Sequence, residues 1–560
     1  MDQAGRTDQT DQRDRTDRAD QATVPVLVVG GGPVGLSTAM FLGRHGVPAV
    51  LVEKREDTSL LPRAPGLQAR TMELFRAAGC VADVRALEKD DSHPYFEGGI
   101  IRTSTFARID EAVTLEAPSL DGPLVSPERV MGCGQDRYEK VLVAKAREAG
   151  GEVRFGTRLL GLSQDADGVT AVVRGPDGTD STLRARYVVA ADGASSFVRR
   201  SLGIERYGRG TVFNALSIYF RAPQLEGALK GRKFILCYAT AARGTLMSLS
   251  RLHGCDPWLA TPLYFPDRGE KPEDFTDERC VEIIRTASGL PDLDVEVVWK
   301  VPWQGAQLVA ERFRAGRVFL AGDAAHVHPP AGGFGANTGI HDAHNLAWKL
   351  AAVLRGWAGP ELLDTYDAER RRVGEAMAEQ AMIRNRIRHG YADDATRSAM
   401  VDDIIITLGY RYRSSAIPGG DADAPVLSPR LDLTGRPGTR APHVWLDRGG
   451  RRISTIDLFW DSYVLLCGAR GGDWARAAAR AARRLGIPLC THVVAAGGEL
   501  APVDRDWAEA YGVGEDGAVL VRPDAFVAWR EPGAVADPEA AVGAALARAA
   551  GHSAPAGVAR

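Results

Sequence analysis

The sequence predicts an α/β protein in three parts: a parallel-sheet nucleotide-binding domain, a second domain on an antiparallel sheet, and a small α/β domain at the C-terminus. Three observations predict it. The glycine run Gly30-Gly31-Gly32-Pro33-Val34-Gly35 directly follows an apolar stretch, Val24–Val29. A second signature, Gly322-Asp323-Ala324-Ala325-His326 followed by Pro329-Pro330-Ala331-Gly332-Gly333-Phe334-Gly335-Ala336-Asn337, leaves another apolar stretch at 318–321. Between the two, from about residue 207 to 303, the pattern changes to strand-like pieces with aromatics, among them Tyr219, Phe220, Phe234 and Tyr238.

In chain order, residues 1–22 repeat Asp, Gln, Arg and Thr with almost no apolar side chain. They cannot bury enough surface to offset ordering entropy, so a disordered tail is expected. Val24–Val29 reads as a short buried strand, 35–44 as a helix with Leu36, Ala39, Met40 and Gly43 on its inner face, and 49–52 as a second parallel strand ending at Glu53. This is a βαβ unit of Rossmann type. An isolated G-x-G-x-x-G is compatible with a plain turn, but here strand, helix and an acid at about the 20-residue spacing of a ribose contact all agree. Residues 67–79 and 136–150 read as helices, and 153–155 and 169–173 as strands joined through an Asp-Gly turn. A strand at 186–191 runs into Asp192-Gly193-Ala194-Ser195-Ser196-Phe197-Val198-Arg199. Residues 337–355 form an amphipathic helix with Ile340, Ala343, Leu346, Ala347, Leu350 and Leu354 on one side. The Pro/Gly/Asp-rich stretch 419–440 reads as a linker, and beyond it strands at 462–466, 518–521 and 527–530 mix with an Ala/Arg helix at 474–485. The expected division is a nucleotide-binding domain at 23–206 with 304–418, a substrate-binding middle domain at 207–303, and a C-terminal domain at 441–550.

Size and composition bound the reading. At 560 residues and 60.1 kDa the chain exceeds one ordinary core. A formal net charge of -3 gives no electrostatic reason for nucleic acid or an anionic membrane as partner. No apolar stretch reaches the ~20 residues needed to span a bilayer, and the N-terminus lacks the apolar core of a signal peptide. The cysteines, Cys80, Cys133, Cys237, Cys255, Cys280, Cys467 and Cys490, include no C-x-x-C pair, which argues against a zinc site or a disulfide framework. A cytoplasmic protein with reduced thiols is expected. His326, His328, His341 and His344 lack a carboxylate or thiolate in ligand spacing, so no metal is expected.

The two signatures together imply a dinucleotide held at both ends. Gly30, Gly32 and Gly35 suit a pyrophosphate at a helix N-terminus, and Glu53 suits its ribose. Asp323, at the end of an apolar strand, can accept hydrogen bonds from a sugar-like chain. The following glycines let backbone approach a flat ligand closely. They lead into a helix whose N-terminus presents free N–H groups and partial positive charge, suited to the negative pyrimidine side of a reduced flavin. A permanently held FAD is the expectation; the bland alternative is a glycine-rich loop that merely caps a helix.

The motifs at 30–35, 192–199 and 322–330 resemble the fingerprints of the group A flavoprotein aromatic hydroxylases, the p-hydroxybenzoate hydroxylase fold. Within that group the chain is similar to the aromatic polyketide hydroxylases of actinomycetes, of the aklavinone-11-hydroxylase and tetracenomycin hydroxylase type. Pro62-Arg63-Ala64, Arg70-Thr71-Met72-Glu73-Leu74, the stretch 409–416, Gly435-Arg436-Pro437-Gly438 and Pro442-His443 extend the resemblance over about 24–530. It implies a thioredoxin-like C-terminal domain, to which the distant Cys467 and Cys490 assign a structural or interaction role. It also implies that Arg63 and Gln135 contact the FAD chain and that Leu159 offers backbone to the adenine. Asp192 and Arg199 would serve FAD and the reduced nicotinamide, and Asp323 the ribityl chain. Pro330, Gly332, Gly333, Gly335, Ala336 and Asn337 would surround the isoalloxazine.

The chemistry implied is reduction of FAD by NADPH or NADH and reaction with O2 to a C4a-hydroperoxide. A polycyclic aromatic polyketide, a small-molecule substrate in antibiotic biosynthesis, then attacks the distal oxygen through a phenolic ring. The enzyme would be a monomer or homodimer. For contact with the phenolate the candidates are Tyr238 in the middle sheet and Arg388 at the end of a basic helix, where the neighbouring Arg384 and Arg386 favour an exposed face. Baeyer–Villiger oxygenation, simple phenol hydroxylation and a non-catalytic flavin-binding scaffold remain open readings.

Overall fold

Val24–Val29 is not an alternating strand: Val26 to Val29 are all buried, as a central strand covered on both faces requires. The computed structural model describes residues 23–64, 66–88, 98–117, 125–240, 247–251, 257–421 and 423–552; the expected tail at 1–22 and Cys255 lie outside them. Val24–Val29 pairs in parallel with Ala49–Val52 and with Asp180–Ala190, which in turn pairs in parallel with Val318–Leu320. The sheet continues to Glu152–Arg154 at one edge and Arg314–Ala315 at the other. The three motif loops therefore leave the C-terminal ends of three adjacent parallel strands, where α/β sheets bind ligands. Helix Pro33–Arg44 packs between helices Gln135–Glu148 and Phe334–Leu354.

One strand escapes the sequence pattern. Arg158–Gln164 pairs with Val169–Arg174, and the Asp-Gly turn joins these two rather than 153–155 to 169–173. A register shift between Leu159 and Gly161 breaks the alternation that would have marked it.

The second sheet has eight strands in the order His326–Val327, Glu296–Ala310, Arg206–Arg221, Trp258–Tyr264, Met247–Arg251, Leu236–Ala239, Ile100–Thr103, Val113–Glu116. Its last two strands come from the stretch assigned by sequence to the nucleotide-binding part. One face is a closed core: Leu216, Ile218, Phe220, Cys237, Leu249 and Ala260 pack with Cys280, Ile284 and Ala287 of helix Asp277–Ser288. Strand alternation turns Ala215, Ser217, Tyr219, Tyr238, Thr261 and Leu263 to the opposite face.

The C-terminal part is a βαβ unit (Tyr463–Cys467, Gly472–Leu485, Leu489–Val493) followed by the hairpin Ala518–Val521 and Val527–Glu531 and helix Pro538–Ala549, the thioredoxin-like arrangement. Cys467 is buried within it, its thiol pushed up to about 12 by desolvation, while Cys490 is exposed. The domain shares its core with its neighbour: Trp348, Ala352, Trp357 and Leu362 pack among Tyr463, Leu465, Trp474 and Leu546.

Buried charge joins the two more specifically. Glu369 of the long helix Asp364–Arg388 accepts from Arg522 (2.6 and 2.9 Å), Lys349 (2.7 Å), Asn345 (2.9 Å) and Ser414 (2.6 Å). Asp524 completes the cluster against Arg522. Nearby, Glu73 bridges Arg70 and Arg440, so the end of the 419–440 stretch is packed into the structure rather than free. Burial alone would raise the Glu369 pKa, but Arg522 and Lys349 hold it well below the usual carboxylate range.

Candidate functional site

At the end of the first strand the glycines have three different duties. Gly30 takes φ 111°, and a Cβ there would stand 2.3 Å from the Ala191 carbonyl oxygen. A Cβ on Gly35 would come within 1.8 Å of the Gly30 oxygen, so the helix can start this close only without one. Gly32 differs: nothing lies within 4 Å of its Cβ position. It borders open space over the N-terminus of Pro33–Arg44, a helix with no side-chain cap and no acid in its first turn. That leaves the helix dipole free for an anion. Glu53 is buried beside the loop, its two oxygens accepting from the backbone N–H of Gly31 (2.6 Å) and Arg55 (2.8 Å).

The second signature meets the first across Val34. Cβ atoms on Gly322 and Gly339 would stand 2.8 and 2.5 Å from its side chain, which fixes the two loops side by side. Asp342 sets the second loop from behind: it accepts from Gly322 N–H (3.0 Å), His326 (2.7 Å) and Arg370 (2.6 Å). Burial would raise its pKa, but Arg370 and His326 bring it down to about 2. Asp323 is enclosed by protein, which raises its pKa by desolvation, yet its side chain remains open to solvent. Such a carboxylate is recessed among protein atoms yet within reach of a ligand. Gly335 stands beside it, its Cβ position 4.0 Å from Asp323 Oδ1.

Helix Phe334–Leu354 again starts without a side-chain cap or first-turn acid. Gly332, Gly333, Gly335 and Ala336 thus present backbone around a second free helix N-terminus. Asn337 has another task. Its side chain donates to Gly66 O and Gly333 O (both 2.9 Å) and accepts from Gln68 N–H (2.9 Å) and Thr71 Oγ1 (2.7 Å), stapling the glycine loop to the neighbouring strand. Only its backbone N–H is left for a ligand.

The remaining expected contacts are more scattered. Gln135 N–H donates to Arg63 O (2.9 Å), which places these two residues at one rim, with Arg63 exposed. Leu159 lies in the unanticipated strand, opposite Val173. Asp192 holds its own turn, accepting from Ser196 Oγ (2.5 Å) and Val198 N–H (3.1 Å). Arg199 is buried, with Nη1 on Ile204 O (3.0 Å) and Nε without a partner; burial and the nearby Arg206 and Arg200 lower its pKa. Uncapped helix ends, the open space at Gly32 and the recessed Asp323 all fit a dinucleotide with a flat, electron-accepting ring.

The other candidate residues lie on the face of the second sheet turned away from its closed core. Trp303 lies against Ala215 in the ladder and donates from Nε1 to Ser217 Oγ (3.0 Å). Phe213 packs edge-on against Trp303 and beside His389, whose ring also meets Tyr238 edge-on at 6.0 Å. Here the exposed reading of Arg388 is overturned. Arg388 is only 7% exposed, and it grips Glu116 through Nε (2.6 Å) and Nη2 (2.9 Å). Its partner lies in a strand 272 residues earlier, a pairing that local charge pattern cannot reveal. Burial raises the Tyr238 pKa; Arg388 beside it pulls the other way. Glu116 and His389 were not anticipated from sequence.

Residues 23–381 match the family described as FAD binding domain, and residues 434–553 match the aromatic-ring hydroxylase C-terminal family. The chain belongs to the FAD-dependent aromatic-ring hydroxylases. It is 47% identical over 526 residues to the tetracenomycin A2 monooxygenase-dioxygenase of Streptomyces glaucescens, covering 90% of this chain and 93% of that one. It is 43% identical over 527 residues to the aklavinone 12-hydroxylase of Streptomyces purpurascens, covering 92% and 96%. Among solved structures it resembles aklavinone-11 hydroxylase in its ternary complex with FAD and aklavinone, with a TM-score of 0.86 and 41% identity over 94% of this chain and 99% of that one. This hydroxylase is therefore a flavoprotein monooxygenase that uses FAD, with NAD(P)H as co-substrate. No described helix is long and apolar enough to cross a membrane.

Proposed function

We propose that this enzyme hydroxylates a polycyclic aromatic polyketide in the biosynthesis of an antibiotic, acting in the cytoplasm as a monomer or homodimer. The observation that carries the reading is the aromatic face of the second sheet, the one turned away from its closed core. From Trp303 to Tyr238 it is five strands wide, roughly 19 Å at the usual strand spacing. Aromatic and small side chains dominate it, and one buried polar corner, Tyr238 with Arg388, stands at its far side. Such a wall takes several fused rings flat, with one hydroxyl directed into the corner. The names of the relatives, tetracenomycin and aklavinone oxygenases, support the same substrate class.

In this reading Gly30, Gly32 and Gly35 hold the pyrophosphate, Glu53 the adenosine ribose and Asp323 the ribityl hydroxyls, with Arg63, Gln135 and the backbone of Leu159 along the chain. The N-terminus of Phe334–Leu354 stabilises negative charge on the ring. Bound FAD supplies electron transfer from NAD(P)H and activation of O2 for delivery of one oxygen atom. Asp192 shapes the turn on which Arg199 meets the nicotinamide. Tyr238 and Arg388 orient the substrate phenol and favour its ionised form, and the sheet wall excludes water from the reacting ring.

The test is mass analysis of products from the purified holoenzyme with NADPH, O2 and a panel of tri- and tetracyclic phenolic polyketides. One added oxygen on an intact ring skeleton is expected. A lactone would replace hydroxylation with Baeyer–Villiger oxygenation, and turnover of single-ring phenols alone would replace the substrate class. Flavin binding without stimulated NADPH oxidation on any of these substrates would make the chain a scaffold.

A further inference from the structure

Glu116 ends the strand Val113–Glu116 at the outer edge of the second sheet. Its two oxygens take two different nitrogens of Arg388, a fork geometry that fixes the plane of the guanidinium. Tyr238 is a side-chain hydrogen-bond neighbour of the same guanidinium. The sheet itself sets this arrangement: Tyr238 pairs with Arg102, and the strand of Arg102 pairs with that of Glu116. Arg388 then comes down on the assembly as the last residue of the long helix.

Resting on the reading of Tyr238 and Arg388 as the pair that meets the substrate phenol, we propose that Glu116 is the positioning residue of this corner. Its two-point grip holds Arg388 in one orientation, so that the guanidinium meets Tyr238 and the substrate phenol at a fixed angle. Among the described residues, the charged and titratable groups around Tyr238 are Arg388 at the helix end and His389 just after it, Glu116 from the edge strand and Arg102 across the ladder. Behind them Arg384 faces Glu116 and Asp403 faces Arg388. Burial raises the Tyr238 pKa, Arg388 lowers it, and Glu116 raises it again. Without the Glu116 charge the guanidinium loses its fixed plane, and its unopposed charge draws the Tyr238 pKa down from its raised value.

The experiment compares Glu116→Gln, Glu116→Asp and wild-type holoenzyme at matched flavin occupancy. Two quantities are read: the pH profile of kcat for hydroxylation, and the ultraviolet difference titration of Tyr238, obtained by subtracting the matching Tyr238→Phe variant. For Glu116→Gln the expected results are a kcat at least tenfold lower throughout the pH profile, as the guanidinium loses its fixed plane, and a Tyr238 titration moved to lower pH. Glu116→Asp, which keeps the charge, should leave the titration in place and recover part of kcat. An unmoved Tyr238 titration in Glu116→Gln, with kcat equally reduced by Asp and Gln, would overturn the proposal in favour of simple packing. Failure of the underlying reading looks different: Tyr238→Phe and Arg388→Lys would then keep wild-type kcat and product.

Discussion

Replacing Glu369 by Gln asks how firmly the C-terminal domain is keyed to the flavin helices. Glu369, Lys349 and Arg522 are closed to solvent, and together with Asp524 they hold two negative and two positive charges. The amide removes one negative charge while nearly keeping the volume. Both cations then share Asp524 alone, and an amide N–H2 faces donors that had faced a carboxylate. Removing one partner of a buried pair costs about 3–5 kcal/mol. Lys349 can relieve part of this, since burial already lowers its pKa to about 8 even with Glu369 beside it. Guanidinium unfolding followed by tryptophan fluorescence is a suitable assay, because Arg522 lies over the ring of Trp348 at 5.3 Å. The expected loss at pH 7.5 is about 3–5 kcal/mol, shrinking towards pH 9 as Lys349 gives up its proton. The double variant Glu369→Gln/Lys349→Met, with one charge of each sign, should recover part of the loss. A loss below about 1 kcal/mol, in the range of a surface pair, or a double variant no better than the single one, would refute the argument from charge balance.

Gly32→Ala should leave unfolding unchanged and weaken FAD binding at least tenfold, since its Cβ meets only the open cradle; Gly35→Ala, 1.8 Å from a backbone oxygen, should damage the fold itself. Equal effects of the two on denaturant unfolding would remove the distinction drawn between them. Asp323→Ala should keep the fold and lose flavin on gel filtration, and full occupancy would rule out its assigned contact. Stability should fall as pH drops from about 6.5 towards 4. Burial holds His443 at about 4, with Arg440 adding to the effect, and lowers His45, His328, His341 and His344 too. In that window the unfolded chain takes up protons that the folded one refuses, and His443 alone contributes on the order of 3 kcal/mol. Denaturation midpoints that are flat between pH 7.5 and 5 would contradict this.

The cofactor side of the molecule was readable because its signals are local. Strand, glycine turn and helix follow one another within a few residues, and each constraint, such as the Gly35 approach to Gly30, acts between near neighbours. The substrate side was less so. Ile100–Thr103 is a four-residue strand whose partner lies at 236–239, and nothing in its own pattern assigns it to the second sheet. Arg388 and Arg370 sit in a helix crowded with arginines, where an outward face is the natural reading. Arg370 is fully buried on Asp342, whereas Arg372 two positions on is exposed. What separates them is a partner elsewhere in the chain. Asn337 was assigned to the ring, and its side chain proved to be fully engaged in holding the loop that would carry it.

The long helix Asp364–Arg388 has Glu369 near one end and Arg388 at the other, so the span between them is a ruler of about 28 Å at 1.5 Å per residue. One residue inserted in that span would swing Arg388 by about 100° away from Glu116. Recombination among such enzymes is constrained accordingly. A C-terminal domain taken from another hydroxylase can replace this one only if it brings an arginine and an aspartate to the positions of Arg522 and Asp524, and crossovers inside the helix must conserve its length.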